Sequence, residues 1–182
     1  VCVSGVVSKK DGISVRAFGV WHESVPVCEI LNHELHVPVT IENNVNALAF
    51  AQLFYDGNDR QNNFLLIKWG PGAGSAIVIN RKVYEGKSEK PAELGHIIVD
   101  KNGAKCSCGK RGCLETVVSY QALSRIKPFE MDELEQMYAD ADKKQKKEID
   151  DALDIFARTI ANAVTILAPD QVVLCGKLFH ST

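Results

Sequence analysis

Residues 91–119 read PAELGHIIVDKNGAKCSCGKRGCLETVVS. Three of the chain's six cysteines fall here, in the spacing His96-x9-Cys106-x-Cys108-x4-Cys113. Three thiolates and one imidazole complete a tetrahedral donor set for zinc, and no position is left for water, so the expected ion is structural. Gly103, Gly109 and Gly112 let the loop fold tightly around it. Disulfides are the alternative. Cys106 and Cys108 are too close to pair easily, one thiol would be left over, and no secretory signal accompanies them. Glu93 and Glu115 bracket the set. Spacing alone leaves them open between two readings: carboxylates held in register to bind sugar hydroxyls, or two surface glutamates.

Around this stretch lie 182 residues, 46% hydrophobic, with a formal charge of -2. That length suffices for one packed domain or two lobes. The near-neutral balance excludes nucleic-acid binding by the chain as a whole. The one basic cluster, Lys143-Lys144-Gln145-Lys146-Lys147, opens a helical pattern and precedes Glu148, Asp150 and Asp151, as a solvated helix face does. No apolar run reaches transmembrane length and no signal peptide is present, so the expected location is the cytoplasm, with no membrane partner. The chain opens without Met inside VCVSGVV and stops at LFHST directly after a strand pattern. The expectation is a fragment cut at both ends.

The pattern predicts strands over residues 1–8, 13–20, 38–41, 64–70, 75–80 and 171–176, with a hairpin turn at Asn80-Arg81-Lys82. Helices are predicted from Val25 to Leu35 (Val27, Ile30, Leu31 and Leu35 on one face), from a cap at Asn43 or Asn44 to a break at Gly57-Asn58-Asp59, over 119–126 and 131–139, and from about 144 to 168. The last carries an apolar stripe of Ile149, Leu153, Phe156, Ile160, Val164 and Leu167. Alternating strands and helices make the class α/β. Cys2, Cys28 and Cys175 lie in apolar runs and read as core thiols. His22, His33 and His36 read as solvated rather than as a second metal site. Trp69 reads as core, and Trp21 is open between core and sugar stacking.

The string Glu93-x-Gly95-His96-x9-Cys106-x-Cys108-Gly109-x2-Gly112-Cys113-x-Glu115 resembles the signature of the ROK family of bacterial sugar kinases and sugar-responsive transcriptional repressors. Val39-Thr40-Ile41-Glu42-Asn43-Asn44 resembles that family's strand-to-helix turn, Gly70 to Gly74 its second phosphate loop, and Pro169 to Gly176 its late strand and adenosine-side turn. The resemblance implies a two-lobed actin-like, ribonuclease H-like fold, with residues 1–62 the remainder of the N-terminal lobe and 63–182 a C-terminal lobe bearing a zinc loop over 96–113. It places sugar contacts at Gly5, Asn43, Asn44, Glu93, His96 and Glu115, and a phosphate-loop remnant at Gly70, Gly72, Gly74 and Gly176. A first phosphate loop would precede Val1.

Three positions depart from the family's kinases. Asn44 stands where they carry the aspartate that accepts the proton of the attacking hydroxyl, and an amide cannot act as that base. Pro71 replaces a threonine and offers a phosphate neither hydroxyl nor N–H. Cys175 puts a side chain in a turn that is usually consecutive glycines. The reading is therefore the sugar-sensing effector domain of a ROK-type regulator: a homodimer binding a small sugar, with DNA contacted only through a helix-turn-helix outside this chain. An ATP- and magnesium-dependent hexose or N-acetylhexosamine kinase with an atypical base is the alternative. A third is a degenerate member that keeps the zinc fold and binds nothing.

Overall fold

The computed structural model describes residues 1–17, 20–55, 62–86 and 92–179. In chain order the elements are β1 (Cys2–Val3), β2 (Gly5–Ser8), β3 (Ile13–Ala17), α1 (Val27–Leu35), β4 (Glu42–Asn43), α2 (Asn44–Tyr55), β5 (Phe64–Trp69), β6 (Ala73–Ile79), β7 (Lys82–Val83), α3 (Glu115–Val118), α4 (Tyr120–Ile126), α5 (Leu134–Ala139), α6 (Lys143–Leu167) and β8 (Gln171–Cys175). The chain divides into two compact units, Val1–Asn62 with Ala76–Pro91, and Asn63–Ser75 with Ala92–Thr182. β6 passes from the second into the first. The predicted break at Gly57-Asn58-Asp59 lies outside the described residues.

In the first unit, β2 and β3 form an antiparallel pair with an irregularity between Val6 and Val7, and β1 pairs in parallel with β4. Val3, Val7, Ala17, Val27 and Ile41 make its core, with Trp21, Val25, Cys28 and Leu31 packed against it. Trp21 donates its Nε1–H to Ser14 Oγ at 3.0 Å and packs against this core. The strand expected over 38–41 forms instead at Glu42–Asn43, where backbone partners exist in β1. Only Val27 and Leu31 of the predicted α1 face are packed. Ile30 and Leu35 are exposed, because a nine-residue helix lying on a two-stranded pair has little sheet to cover. Cys2 is likewise exposed rather than a core thiol. The turn at Asn80 and Arg81 has φ of 51° and 61°, the two left-handed residues that a tight hairpin requires.

In the second unit, β5 lies between β6 and β8. β5 and β8 run parallel, with Phe64 opposite Gln171 and Lys68 opposite Cys175. A parallel pair needs a crossover, and α3 to α6 supply it. Phe64, Leu65, Leu66 and Ile67 are all buried, as expected of a strand covered on both faces. Trp69 packs on Phe156 and Phe179 and donates to Val118 O. α6 begins with a capping box. Asp142 Oδ1 accepts from the Lys144 and Gln145 amides, both at 2.8 Å, and Gln145 Oε1 accepts from Asp142 N. The box is needed, because the lysine run places positive charge at the wrong end of the helix dipole. Lys146 is partly relieved by donating to Ala139 O, and Lys144 by Glu148 at 3.8 Å. Ile149, Ala152, Phe156 and Thr159 form the buried stripe, and the helix ends at a left-handed Ala168 before Pro169.

Candidate metal centre and ligand-binding residues

His96 closes a short 3₁₀ turn, Leu94–His96. That turn is anchored on the start of β6. Ser75 Oγ accepts from Leu94 N at 3.1 Å, and Gly95 lies so close to β6 that a Cβ there would stand 1.9 Å from Ala73 O. The cysteine loop is a small ribbon held by Cys106 N to Lys110 O (2.8 Å), Gly112 N to Ala104 O (2.8 Å) and Leu114 N to Ile97 O (2.8 Å). Gly112 has φ of 68°, and a Cβ would fall 1.5 Å from Asp100 O, so only glycine fits.

These turns bring His96, Cys106, Cys108 and Cys113 together, with one ligand atom from each, all within 4.8 Å of one another. Cys106 Sγ lies 3.5 Å from His96 Nδ1, and Cys108 Sγ lies 3.6 Å from Cys113 Sγ. A tetrahedral ion with metal–sulfur bonds of about 2.3 Å sets neighbouring sulfurs roughly 3.8 Å apart, so the set could hold a metal. The thiols are electrostatically unequal. Burial and the neighbouring sulfurs push Cys113 up to about 12. Burial also opposes ionisation of Cys108, but hydrogen bonds from the Lys110 backbone and the other two cysteines outweigh it and hold that thiol below its ordinary value. Among the described residues this is the only group of three or more such donors; His22, His33 and His36 are exposed and assemble no second one. Gly95→Ala should tilt His96 out of the set and lower metal affinity about 10–100-fold, read by competition with a chromophoric chelator.

With Nδ1 facing the sulfurs, His96 presents Nε2 to Glu93, whose Oε2 is 3.7 Å away. Glu93 is half exposed. Glu115 begins α3 and turns toward the Gly70–Gly74 loop, where its Oε2 accepts from Ala73 N at 3.3 Å. A Cβ on Gly72 would meet that same oxygen at 2.4 Å. Gly176, with φ of 112°, lies against Trp69 O, where a Cβ would stand at 2.1 Å. Both glycines thus have packing reasons of their own. Pro71 is exposed, Gly74 lies in β6, and the Cys175 thiol is half-buried and raised by that burial.

In the first unit, Asn43 is the cap of α2. Its Oδ1 accepts from Val45 N (2.8 Å) and Asn46 N (3.3 Å), and its Nδ2 donates to Gly5 O (2.8 Å). Most of its hydrogen-bonding capacity is therefore spent on positioning Gly5 and the helix start. Asn43→Ala should cost about 1–2 kcal/mol, read as a shift in denaturant midpoint without change in slope. Asn44 follows at the first helical position. It is half-buried, and its side chain has no hydrogen-bond partner among the described residues. Beneath it, Glu42 accepts from Asn43 N and meets Lys9 at 2.6 Å, while Lys9 also reaches Glu85. Burial opposes the Lys9 charge, but the two carboxylates hold its pKa above the usual value. This network went unread in the sequence, since its members come from three distant segments.

The ROK family model matches residues 1–182. The chain belongs to the ROK family. It is 31% identical to a glucokinase of Halalkalibacterium halodurans, over 94% of this chain and 58% of that protein. It is 33% identical to a xylose repressor of Bacillus spizizenii, over 77% of this chain and 36% of that one. Among solved structures it superposes on a ROK transcriptional regulator homologous to the Escherichia coli MLC protein (25% identity, TM-score 0.80, 99% of this chain and 50% of that one). It also superposes on a ROK hexokinase of Thermus thermophilus (26%, 0.82, 98% and 61%). The fold is therefore the actin-like one of ROK kinases and repressors, and the chain spans about half the length of these relatives. No helix among the described residues is long and apolar enough to cross a membrane.

Proposed function

We propose that this ROK chain is the sugar-sensing part of a transcriptional regulator with a degenerate kinase site. Asn44 carries the reading. It occupies the position of the kinase base, where an amide binds a hydroxyl but takes no proton from it. Pro71 and Cys175 support the same conclusion from the nucleotide side. Glu115 adds to them, because its carboxylate already holds the Ala73 amide that a phosphate oxygen would need.

In this reading Asn44, Glu93, His96 and Glu115 bind sugar hydroxyls, with Gly5 lying against the sugar. Asn43 contributes the Nδ2 hydrogen that its capping leaves over. Zinc is the ion of the Cys3His set; it orders the loop and so fixes His96 and Glu115. A site built to hydrogen-bond hydroxyls rejects analogues lacking them. The sugar acts on DNA only by preferring one conformer of a cytoplasmic homodimer whose helix-turn-helix lies outside this chain.

The native-length protein, given ATP, magnesium and a panel of hexoses and amino sugars, should bind sugar and release no ADP above background. Sugar-dependent turnover would establish the kinase alternative instead, which the glucokinase match keeps in view.

A further inference from the structure

The four side chains of the Cys3His set differ in how solvent reaches them. Cys106 and Cys113 are buried and the His96 side chain is 15% exposed, whereas Cys108 stands open on the loop tip 107–110, every residue of which is exposed. The remaining cysteines lie outside the group: Cys2 is exposed, and Cys28 and Cys175 are half-buried. We propose that Cys108 and Cys113 are a peroxide-sensitive pair, whose joining in a disulfide expels the metal and releases the loop that holds His96. The inference concerns the metal centre itself; only its consequence for sugar rests on the sugar-binding reading above.

Three observations carry it. First, a small oxidant in solvent meets the cluster at Cys108, the one exposed sulfur of the three. Second, Cys108 Sγ lies 3.6 Å from Cys113 Sγ, so a disulfide needs a closure of roughly 1.5 Å. Cys106 is separated from Cys108 by a single residue, too close along the chain to pair easily. Third, one partner is fixed and the other can move. Cys113 O accepts from Thr116 N at 2.9 Å and from Thr116 Oγ1 at 2.7 Å, and Cys113 bridges to Ile98. Gly109, next to Cys108, has φ of 93°, and a Cβ there would meet nothing within 4 Å. The tip can therefore swing toward Cys113 without displacing core atoms.

The chemistry balances with hydrogen peroxide as the oxidant. The Cys108 sulfur attacks one peroxide oxygen, the O–O bond breaks, and the departing oxygen takes a proton and leaves as water. Cys113 then attacks the sulfur of the Cys108 sulfenic acid, the S–O bond breaks, and a second water leaves. Two thiolates, one peroxide and two protons become one disulfide and two waters, with two electrons passing from sulfur to oxygen. A disulfide sulfur has no thiolate charge to offer a metal, so two of the four donors are lost. Cys106 and His96 alone do not make the closed set that retains a structural ion. His96 loses what orients it, and the loop tip loses its tether.

The experiment treats the native-length, zinc-loaded protein with hydrogen peroxide. Released zinc is read with a chromophoric chelator, and the alkylated protein is mapped by mass spectrometry after trypsin. One equivalent of zinc should appear for every two thiols lost. The peptide cut out at Lys105 and Lys110 should be cross-linked through Cys108 to the peptide that begins at Gly112, with Cys106 alkylated. Dithiothreitol and zinc should restore both thiols and metal. Cys108→His keeps four zinc donors but not the pair, so it should hold its zinc at peroxide doses that empty the parent; if that variant takes up no zinc, the parent's peptide map decides alone. Zinc retained while Cys2 is oxidised would overturn the proposal. So would zinc released with sulfinic or sulfonic acids and no disulfide, a disulfide through Cys106, or equal zinc loss from Cys108→His. Glucose affinity of the oxidised protein should fall at least about tenfold and return with reductant and zinc. A mapped disulfide with unchanged glucose binding would overturn the link to the sugar site alone. Absence of glucose binding before oxidation would overturn the sugar-binding reading, and the map would still judge the disulfide.

Discussion

Cys113→Ser is expected to strip the metal from the protein and to melt the cysteine loop with it. Cys113 is fully buried, its sulfur is 3.6 Å from that of Cys108, and its backbone joins the loop to α3. A serine there is a far poorer ligand and leaves a hydroxyl in a pocket built for sulfur. The loop between Ile97 and Cys113 has almost no apolar core of its own: among its residues only Cys106, Gly112 and Cys113 are buried. In the metal-bound reading its order comes from the ion and from a few backbone hydrogen bonds. In small metal-dependent folds the ion supplies on the order of 10 kcal/mol, and in one lobe of a larger unit several kcal/mol is a fair expectation. Metal content by plasma mass spectrometry should fall well below one equivalent, and the melting temperature should drop by roughly ten degrees or more. Cys175→Ser is the control. Its thiol lies outside the cluster, so metal content should not change. A Cys113→Ser protein that retains a full equivalent of metal and melts as the parent does would remove Cys113 from the ligand set.

That centre was legible in the sequence because its ligands are close together along the chain and the glycines between them state the curvature. α6 was legible for a related reason. Its stripe repeats at helical spacing over many turns; the capping box of Asp142 and Gln145 that starts it went unread. β5 was legible from the apolar run Phe64 to Ile67. What could not be read depends on partners far away in the chain. Asn43 was read as a candidate cap of α2 and is that cap, but its bond to Gly5 O, 38 residues earlier, has no local signal. Gly72 and Gly176 read as phosphate-loop glycines, but Glu115 and the Trp69 backbone give each a steric reason to lack a side chain. β1 lies inside the strand read over residues 1–8, whereas the two-residue β4 exists only because it pairs with β1, and no local pattern announces it. The exposure of Ile30 and Leu35 followed from how little sheet α1 covers. Helical spacing states which residues share a face; it does not state what that face meets.

Asn44→Asp is the substitution with the largest expected effect on chemistry. It changes an amide for a carboxylate of the same shape at the first position of α2, where the side chain is half-buried and has no hydrogen-bond partner to lose. A negative charge in the first turn is favoured by the helix dipole by roughly 0.3–1 kcal/mol, so the variant should fold as well as the parent or slightly better. Sugar affinity should change little, since a carboxylate accepts from hydroxyls as the amide oxygen does. What it gains is a site for the proton of an attacking hydroxyl, a contribution typically worth a factor on the order of 10² to 10⁴. In the native-length protein with ATP and magnesium, sugar-dependent ADP release should rise toward the lower end of that range, because Pro71 still withholds an amide from the phosphate. A rise of that size, with parental sugar affinity, would show that the sugar lies against Asn44 and that the missing base is the main block to transfer. No rise, with sugar still bound, would move the block to Pro71 and Cys175, and Asn44→Asp with Pro71→Thr would then be the variant to regain turnover.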